Sequence, residues 1–420
     1  MYEKSVLDNG IQVITESIPH VRSVTIGFWF KVGSRDEPAS LQGVTHFIEH
    51  MLFKGTTTRS AKEIAETMDA TGGSLNAFTS KEHTCYYAKV LDQHLPLAVE
   101  LIADMVLNSR FDESDLAKEK GVIAEEISMY EDAPDELVHD LILEAAWGNH
   151  PLGRSTLGTY ESIQGMDRNT LLEFMARHYA ADKLVVSAAG NLCHDQVVEL
   201  VGKAFASLPL RGEKRASIEI TTDATTVVRW KDTEQVHLCV GNGGLAYSHP
   251  HRYPMYVLDT LFGGGMSSRL FQELRESKGL VYSAYSYHMG FQETGLFTIY
   301  AGTSPENLST VLSLVRREQE QLCEEGVTAQ ELERAKEQLK GGLMLSLEST
   351  SNRMHRLAKA LLYQEPVLTA DEIIARIENV TREEVQNLAC GMFGQGQPAL
   401  AAIGAVTEQG LGASFLAANS

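Results

Sequence analysis

Residues 43–56 read Gly43-Val44-Thr45-His46-Phe47-Ile48-Glu49-His50-Met51-Leu52-Phe53-Lys54-Gly55-Thr56. As a helix over 43–54, this stretch sets His46 and His50 at i and i+4 on one face, with Glu49 one position from that seam. Phe47, Ile48, Met51, Leu52 and Phe53 supply apolar positions, and Lys54-Gly55 reads as a basic last turn with a glycine C-cap. Two imidazoles on one face can hold one metal ion. A zinc ion so held needs a third protein ligand and an open position for water.

The third donor must come from elsewhere in the chain. Asp112 to Tyr130 reads as a helix, with Leu116, Gly121, Val122, Ile127 and Met129 among charges, and it carries Glu119, Glu125 and Glu126. Glu119 and Glu126 lie two turns apart on one face, whereas Glu125 points about 100° away from Glu126. Spacing alone allows either Glu125 or Glu126 to be a surface charge; sharing a face with Glu119 favours Glu126. His83, His139 and His150 have no partner at helical spacing and stand outside the expected metal set.

The 420 residues suggest two or three domains, and 43% hydrophobic residues is ample for sizeable cores. A formal net charge of -20 argues against nucleic acid as a partner, because so acidic a surface repels phosphate. It would attract cationic substrates, general solubility being the simpler reading. Cys85, Cys193, Cys239, Cys323 and Cys390 form no CxxC pair and read as reduced core thiols. The start shows no basic region followed by an apolar run, and no segment approaches the roughly 18 apolar residues of a membrane span. The expected location is cytoplasmic.

Along the chain, Asp8-Asn9-Gly10 signals a hairpin between two short strands, and Val24 to Phe30 reads as a strand. Ser60 to Ala70 reads as a helix with a Ser60/Glu63 capping box. Ser74 to Thr79 and Thr84 to Val90 read as antiparallel strands. Further helices are expected over Leu95–Leu107, Ala133–His150 and Leu171–Tyr179, with a buried strand over Leu184–Gly190. Residues 209–216 carry the charge run Arg211-Gly212-Glu213-Lys214-Arg215 and read as a linker. After it the same parts recur: Val236–Val240, Met255–Phe262, Leu280–Met289, Gly295–Ala301, Leu308–Leu322 and the segment Thr328–Lys336. The expected architecture is α+β, with domain 1–210, a linker over 211–222, and a second domain 223–420 of similar plan. The second half lacks the metal set: Tyr253 to Leu258 replaces the histidine helix, and Lys340-Gly341-Gly342 falls where the carboxylates would be.

H-x-x-E-H is the inverted zinc-protease signature. The sequence resembles the pitrilysin family along nearly its whole length, most closely the subfamily that includes mitochondrial processing peptidase and its bacterial single-chain relatives. The resemblance is carried by Gly43–Thr56, Leu75–Glu82, Glu119–Ile127, His150-Pro151-Leu152-Gly153, and Gly263–Arg275 with Gly279-Leu280-Val281-Tyr282-Ser283. It implies a clamshell of two similar domains around a cavity. It also implies that His46, His50 and Glu126 bind zinc, Glu49 is the catalytic base and Glu119 supports the site. Asn76, Ala77 and Phe78 would form an open sheet edge to which a peptide adds as a strand. Arg275 and Tyr282 would reach the substrate and hold the tetrahedral intermediate; without the resemblance they read as a surface charge and a core aromatic.

Family members that work as unequal pairs divide the zinc set and a longer glycine-rich loop between two subunits. This chain carries both a zinc set and a short Gly263-Gly264-Gly265 loop. A self-sufficient zinc endopeptidase, a homodimer enclosing a chamber and cleaving peptides or unfolded segments, is the simpler inference, with basic residues favoured in the substrate. The alternative is a non-catalytic scaffold or assembly subunit of the same superfamily, against which the intact zinc set with Glu49 argues.

Overall fold

A computed structural model describes residues 2–216, 220, 224–394 and 396–411. The chain divides into two compact units, each assembled from three separate segments. The first comprises Met1–Ser128, Arg154–Ser217 and Leu345–Val367, and the second Met129–Gly153, Ile218–Met344 and Leu368–Ser420.

In the first unit the six strands are β1 (Tyr2–Val6), β2 (Gln12–Ser17), β3 (Ser23–Phe30), β4 (Ser74–Thr79), β5 (Thr84–Leu91) and β6 (Leu184–Gly190). They form one mixed sheet in the order β1-β2-β6-β3-β5-β4, so β4 is an edge. The Asp8-Asn9-Gly10 turn joins β1 to β2 in antiparallel register, with Gly10 at φ 95°, the left-handed geometry that glycine adopts without steric cost.

Both faces of this sheet are covered, which explains why β3 and β6 are buried almost end to end and mostly apolar, with Thr25 and Ser187 buried among them. Val24, Ile26, Phe28 and Phe30 face a core shared with helices of the first half, among them Val44–Leu52 and Leu95–Asn108. Trp29 and Val185 point the other way, against Met354, Leu357, Ala358 and Leu361 of the helix Thr350–Leu362.

The second unit has β7 (Thr226–Trp230), β8 (Val236–Gly244), β9 (Val281–Gly290), β10 (Gly295–Thr303) and β11 (Ala399–Gly404), in the order β7-β11-β8-β10-β9. In chain order these five strands stand for β2 to β6, and they take the same positions. Even the parallel pair recurs, β2 with β6 and β7 with β11. The expected repeat and the α+β class both hold. One face packs on the helices Arg252–Phe262, Leu308–Glu324 and Arg382–Phe393. The other packs on the helix Pro134–Trp147 through Val138, Leu141 and Ile142.

The units therefore differ from the contiguous domains 1–210 and 223–420. Each half supplies one helix, Pro134–Trp147 or Thr350–Leu362, to the sheet encoded by the other half. Sequence periodicity shows that such a helix has an apolar face but not which sheet that face will cover. The linker expected over 211–222 also differs. Arg215 is fixed to the first unit, donating to both Asp36 carboxylate oxygens at 2.7 and 2.8 Å and to the Glu82 carbonyl at 2.6 Å. Residues 217–219 and 221–222 of that linker lie outside the described residues.

The cysteines are free thiols, but only Cys85 and Cys239 are fully buried and Cys193 is exposed, which corrects the reading of all five as core residues. Among the described residues no helix is long and apolar enough to cross a membrane.

Candidate metal centre

The metal-site helix runs over Val44–Leu52, with Val44, Phe47, Ile48, Met51 and Leu52 buried completely in the first core. Its entry is built by a residue from the preceding loop. Gly43 sits at φ 85°, where a Cβ would lie 2.5 Å from the Leu157 carbonyl oxygen, so a side chain there has no room. With no side-chain cap at that position, the two oxygens of buried Glu37 accept the N–H groups of Gly43 and Thr45 at 2.7 and 2.8 Å. Burial pushes the Glu37 carboxyl up to about 8, against the pull of those donors. The arrangement satisfies first-turn donors that would otherwise be buried without partners.

The carboxylate helix spans Glu113–Glu131, and its face toward the metal-site helix carries Glu119 and Glu126. Glu126 Oε2 lies 3.8 Å from His46 Nε2 and 3.6 Å from His50 Nε2, while Glu125 is exposed. The two rings stand 4.6 Å apart at 69° to one another. Donor atoms of His46, His50 and Glu126 all fall within 4.8 Å of one another, and this is the one such group of three or more His, Cys, Asp or Glu side chains among the described residues.

The donor set fits zinc. Bonds of about 2.0–2.1 Å in tetrahedral geometry put donors roughly 3.3 Å apart, close to the His–Glu126 separations. Burial, with the neighbouring His50, pushes His46 down to about 3, so its imidazole is the neutral form a metal requires. His50 Nδ1 lies 3.1 Å from Glu119 Oε2, which leaves its Nε2 lone pair directed at the site. Glu119 is itself buried and held through Oε1 by Lys54 Nζ at 2.8 Å.

Glu49 emerges from the same helix. Burial raises its carboxyl above the ordinary range and Glu126 adds to this, while the Thr79 hydroxyl and His50 pull it down. Thr79 Oγ1 donates to Glu49 Oε2 at 2.5 Å.

Thr79 closes edge strand β4, which carries Asn76, Ala77 and Phe78. Leu75 and Ala77 pack toward the core beneath the metal-site helix, while Phe78 turns to the opposite face, where it stacks on His355 at 5.7 Å. Asn76 Oδ1 accepts the N–H of Ala77 at 2.8 Å.

His83, His139 and His150 do not belong to the donor group. His83 is buried beside Trp29, His139 bonds the hydroxyls of Tyr287 and Tyr285, and His150 Nδ1 accepts from the Leu152 N–H. Arg275 belongs to the π-helix Phe271–Ser277 of the second unit, its guanidinium 5.3 Å from the Tyr282 ring centre and 5.0 Å from that of Phe271. Tyr282 is 74% exposed, so it is not a core aromatic. Glu37 and Thr79 bond to the elements of the site without standing out in the sequence, and Lys54 stands out there only as a basic last turn. Only Thr79 carries a usable signal, being in phase with Leu75 and Ala77 on β4.

Comparison with known proteins bears on the family of the chain and on its fold. The family described as Insulinase (Peptidase family M16) matches residues 12–160, and that described as Peptidase M16 inactive domain matches residues 165–339. The uncharacterized zinc protease YmxG of Bacillus subtilis is 46% identical over 393 residues, spanning 94% of this chain and 96% of its own. An uncharacterized zinc protease of Streptomyces coelicolor is 43% identical, spanning 97% and 90%. Among solved structures, a protease from Helicobacter pylori aligns with a TM-score of 0.89 at 25% identity, over 96% of this chain and 99% of that one. A Pseudomonas fluorescens structure described as a peptidase M16 inactive domain shares the fold, with a TM-score of 0.90 at 21% identity over 97% and 98%.

Proposed function

The chain belongs to the insulinase (M16) peptidase family, and from that premise we propose that it is a zinc-dependent endopeptidase of the processing-peptidase-like branch. The observation that carries the reading is the convergence of His46, His50 and Glu126 beside Glu49. These three residues would hold the ion. Zinc bound there supplies Lewis acidity, polarising a scissile carbonyl and lowering the pKa of the attacking water toward about 7.

The chain's own groups do the rest. Glu49, its carboxyl raised by burial, accepts the proton of the attacking water and delivers it to the leaving amine. Glu119 fixes the tautomer and orientation of His50, and Lys54 fixes Glu119. The free edge of β4 at Asn76, Ala77 and Phe78 receives an extended peptide as an added strand, which aligns its backbone without reading much of its sequence. For that pairing the Asn76 side chain gives up the Ala77 N–H. Arg275 and Tyr282 are assigned to the substrate by family resemblance, with the Tyr282 hydroxyl as a donor to the developing oxyanion.

The proposed substrates are peptides or unfolded segments admitted to an enclosed chamber. Preference for basic residues is supported by the formal charge of -20. The reading includes a cytoplasmic homodimer that needs no second type of subunit, since one chain carries both the zinc set and the Gly263-Gly264-Gly265, Arg275 and Tyr282 features. The test is digestion of a peptide library with and without a chelator, with cut sites mapped by mass spectrometry. Chelator-sensitive cleavage is expected; its absence from zinc-loaded protein would overturn the reading.

A further inference from the structure

Glu49 has three rotatable side-chain bonds, so its place on the metal-site helix does not by itself aim the carboxylate. Its one hydrogen bond to the described residues comes from Thr79, at the end of β4. Alternation along β4 directs Thr79, with Leu75 and Ala77, toward the metal-site helix, while Asn76 and Phe78 take the other face. The contact therefore follows from the strand's register and is not an accident of a loop.

We propose that Thr79 is the positioning residue for Glu49, coupling the aim of the base to the strand that holds the substrate. This rests on the reading of Glu49 as base given above. The hydroxyl engages Oε2 and leaves Oε1 free to take a proton. When Oε1 is protonated, Oε2 remains an acceptor, so the Thr79 bond persists through proton uptake and release and keeps the proton on the same oxygen. A peptide added at Asn76 to Phe78 is registered against the same backbone that ends in Thr79. One strand thereby sets both the reacting bond and the group that acts on it, to the tolerance that proton transfer demands.

The test compares Thr79→Val, which keeps the shape and removes the donor, with Thr79→Ser, which keeps the donor. Both are prepared zinc-loaded and assayed on one fluorogenic peptide. T79V should retain zinc and melting temperature and lose roughly ten- to a hundredfold in kcat, with KM within about twofold; T79S should recover most of the loss. In crystal structures of the zinc-loaded variants, Glu49 should occupy one rotamer in T79S and more than one in T79V. Unchanged kcat in T79V, a rise in KM alone, equal loss in T79S, or a single unshifted Glu49 rotamer in T79V would each overturn the proposal. If the wild type shows no chelator-sensitive cleavage, that failure falls on the peptidase reading, and the rotamer comparison still decides the role of Thr79.

Discussion

Glu119 Oε2 stands 3.1 Å from His50 Nδ1 while Glu119 Oε1 meets Lys54 Nζ at 2.8 Å. One buried carboxylate thus joins a proposed metal ligand to a lysine one turn further along the same helix region. In the proposed centre it would orient the ring without being one of the three candidate donors.

Replacing Glu119 by Gln keeps the size but removes the charge that pairs with Lys54 and favours the Nδ1–H tautomer of His50. Zinc affinity should fall by roughly ten- to a hundredfold, measured by competition against a chromogenic chelator. Affinity equal to wild type would show that His50 is held without Glu119.

The exchanged helices predict an unusual dependence on distant sequence. Leu357 is encoded in the second half, yet it is fully buried with Trp29 and Val185 of the first unit. Leu357→Ala should destabilise the unit that carries the metal-site helix by roughly 2–5 kcal/mol, read by urea unfolding. A fragment of residues 1–222 lacks this helix and exposes that sheet face, so it should bind a hydrophobic dye instead of folding cooperatively. Cooperative unfolding of the fragment, with wild-type stability in L357A, would contradict the exchange.

Two acids of the second unit should titrate with opposite effects. Burial raises Asp259 to about 6 although Ser286 donates to it at 2.6 Å. The folded chain then holds this proton over a range where the unfolded chain, near 3.8, has released it. Its contribution is full below about 4 and is lost as pH rises to about 6, on the order of 3 kcal/mol. Asp259→Asn should remove that decline from the stability profile between pH 4 and 7. At Glu331 burial would raise the carboxyl, but Arg269 and Thr328 hold it at about 2. Its stabilisation is present above about 4.5 and lost as pH falls toward 2. Glu331→Gln should therefore be most costly near neutrality, and a constant cost across that range would contradict the assignment.

Much of the site is legible in the sequence because it is written at short range. His46, Glu49 and His50 lie within two turns, and the seven-residue spacing of Glu119 and Glu126 puts both on one face of a helix. The repeat is legible because like elements recur in like order. The helix exchange is not, since an amphipathic pattern records an apolar face without naming the sheet that buries it. β7 and β11, and the helices following Ser349, escape the sequence reading, as does the carboxylate of Glu37 closing the helix entry across a loop. Thr79 is within reach of it, one step beyond Leu75 and Ala77 in the two-residue period of β4. The assignment of Arg275 and Tyr282 rests on resemblance, and neither shows a spacing that carries chemistry alone.

In the proposed mechanism Glu49 moves the proton while His46, His50 and Glu126 hold the metal. Zinc content and turnover of a fluorogenic peptide, measured together for wild type and Glu49→Gln, test it most directly. Both proteins should bind one zinc per chain, with turnover in E49Q lower by at least about a hundredfold. Wild-type turnover in E49Q, or loss of zinc along with activity, would contradict it.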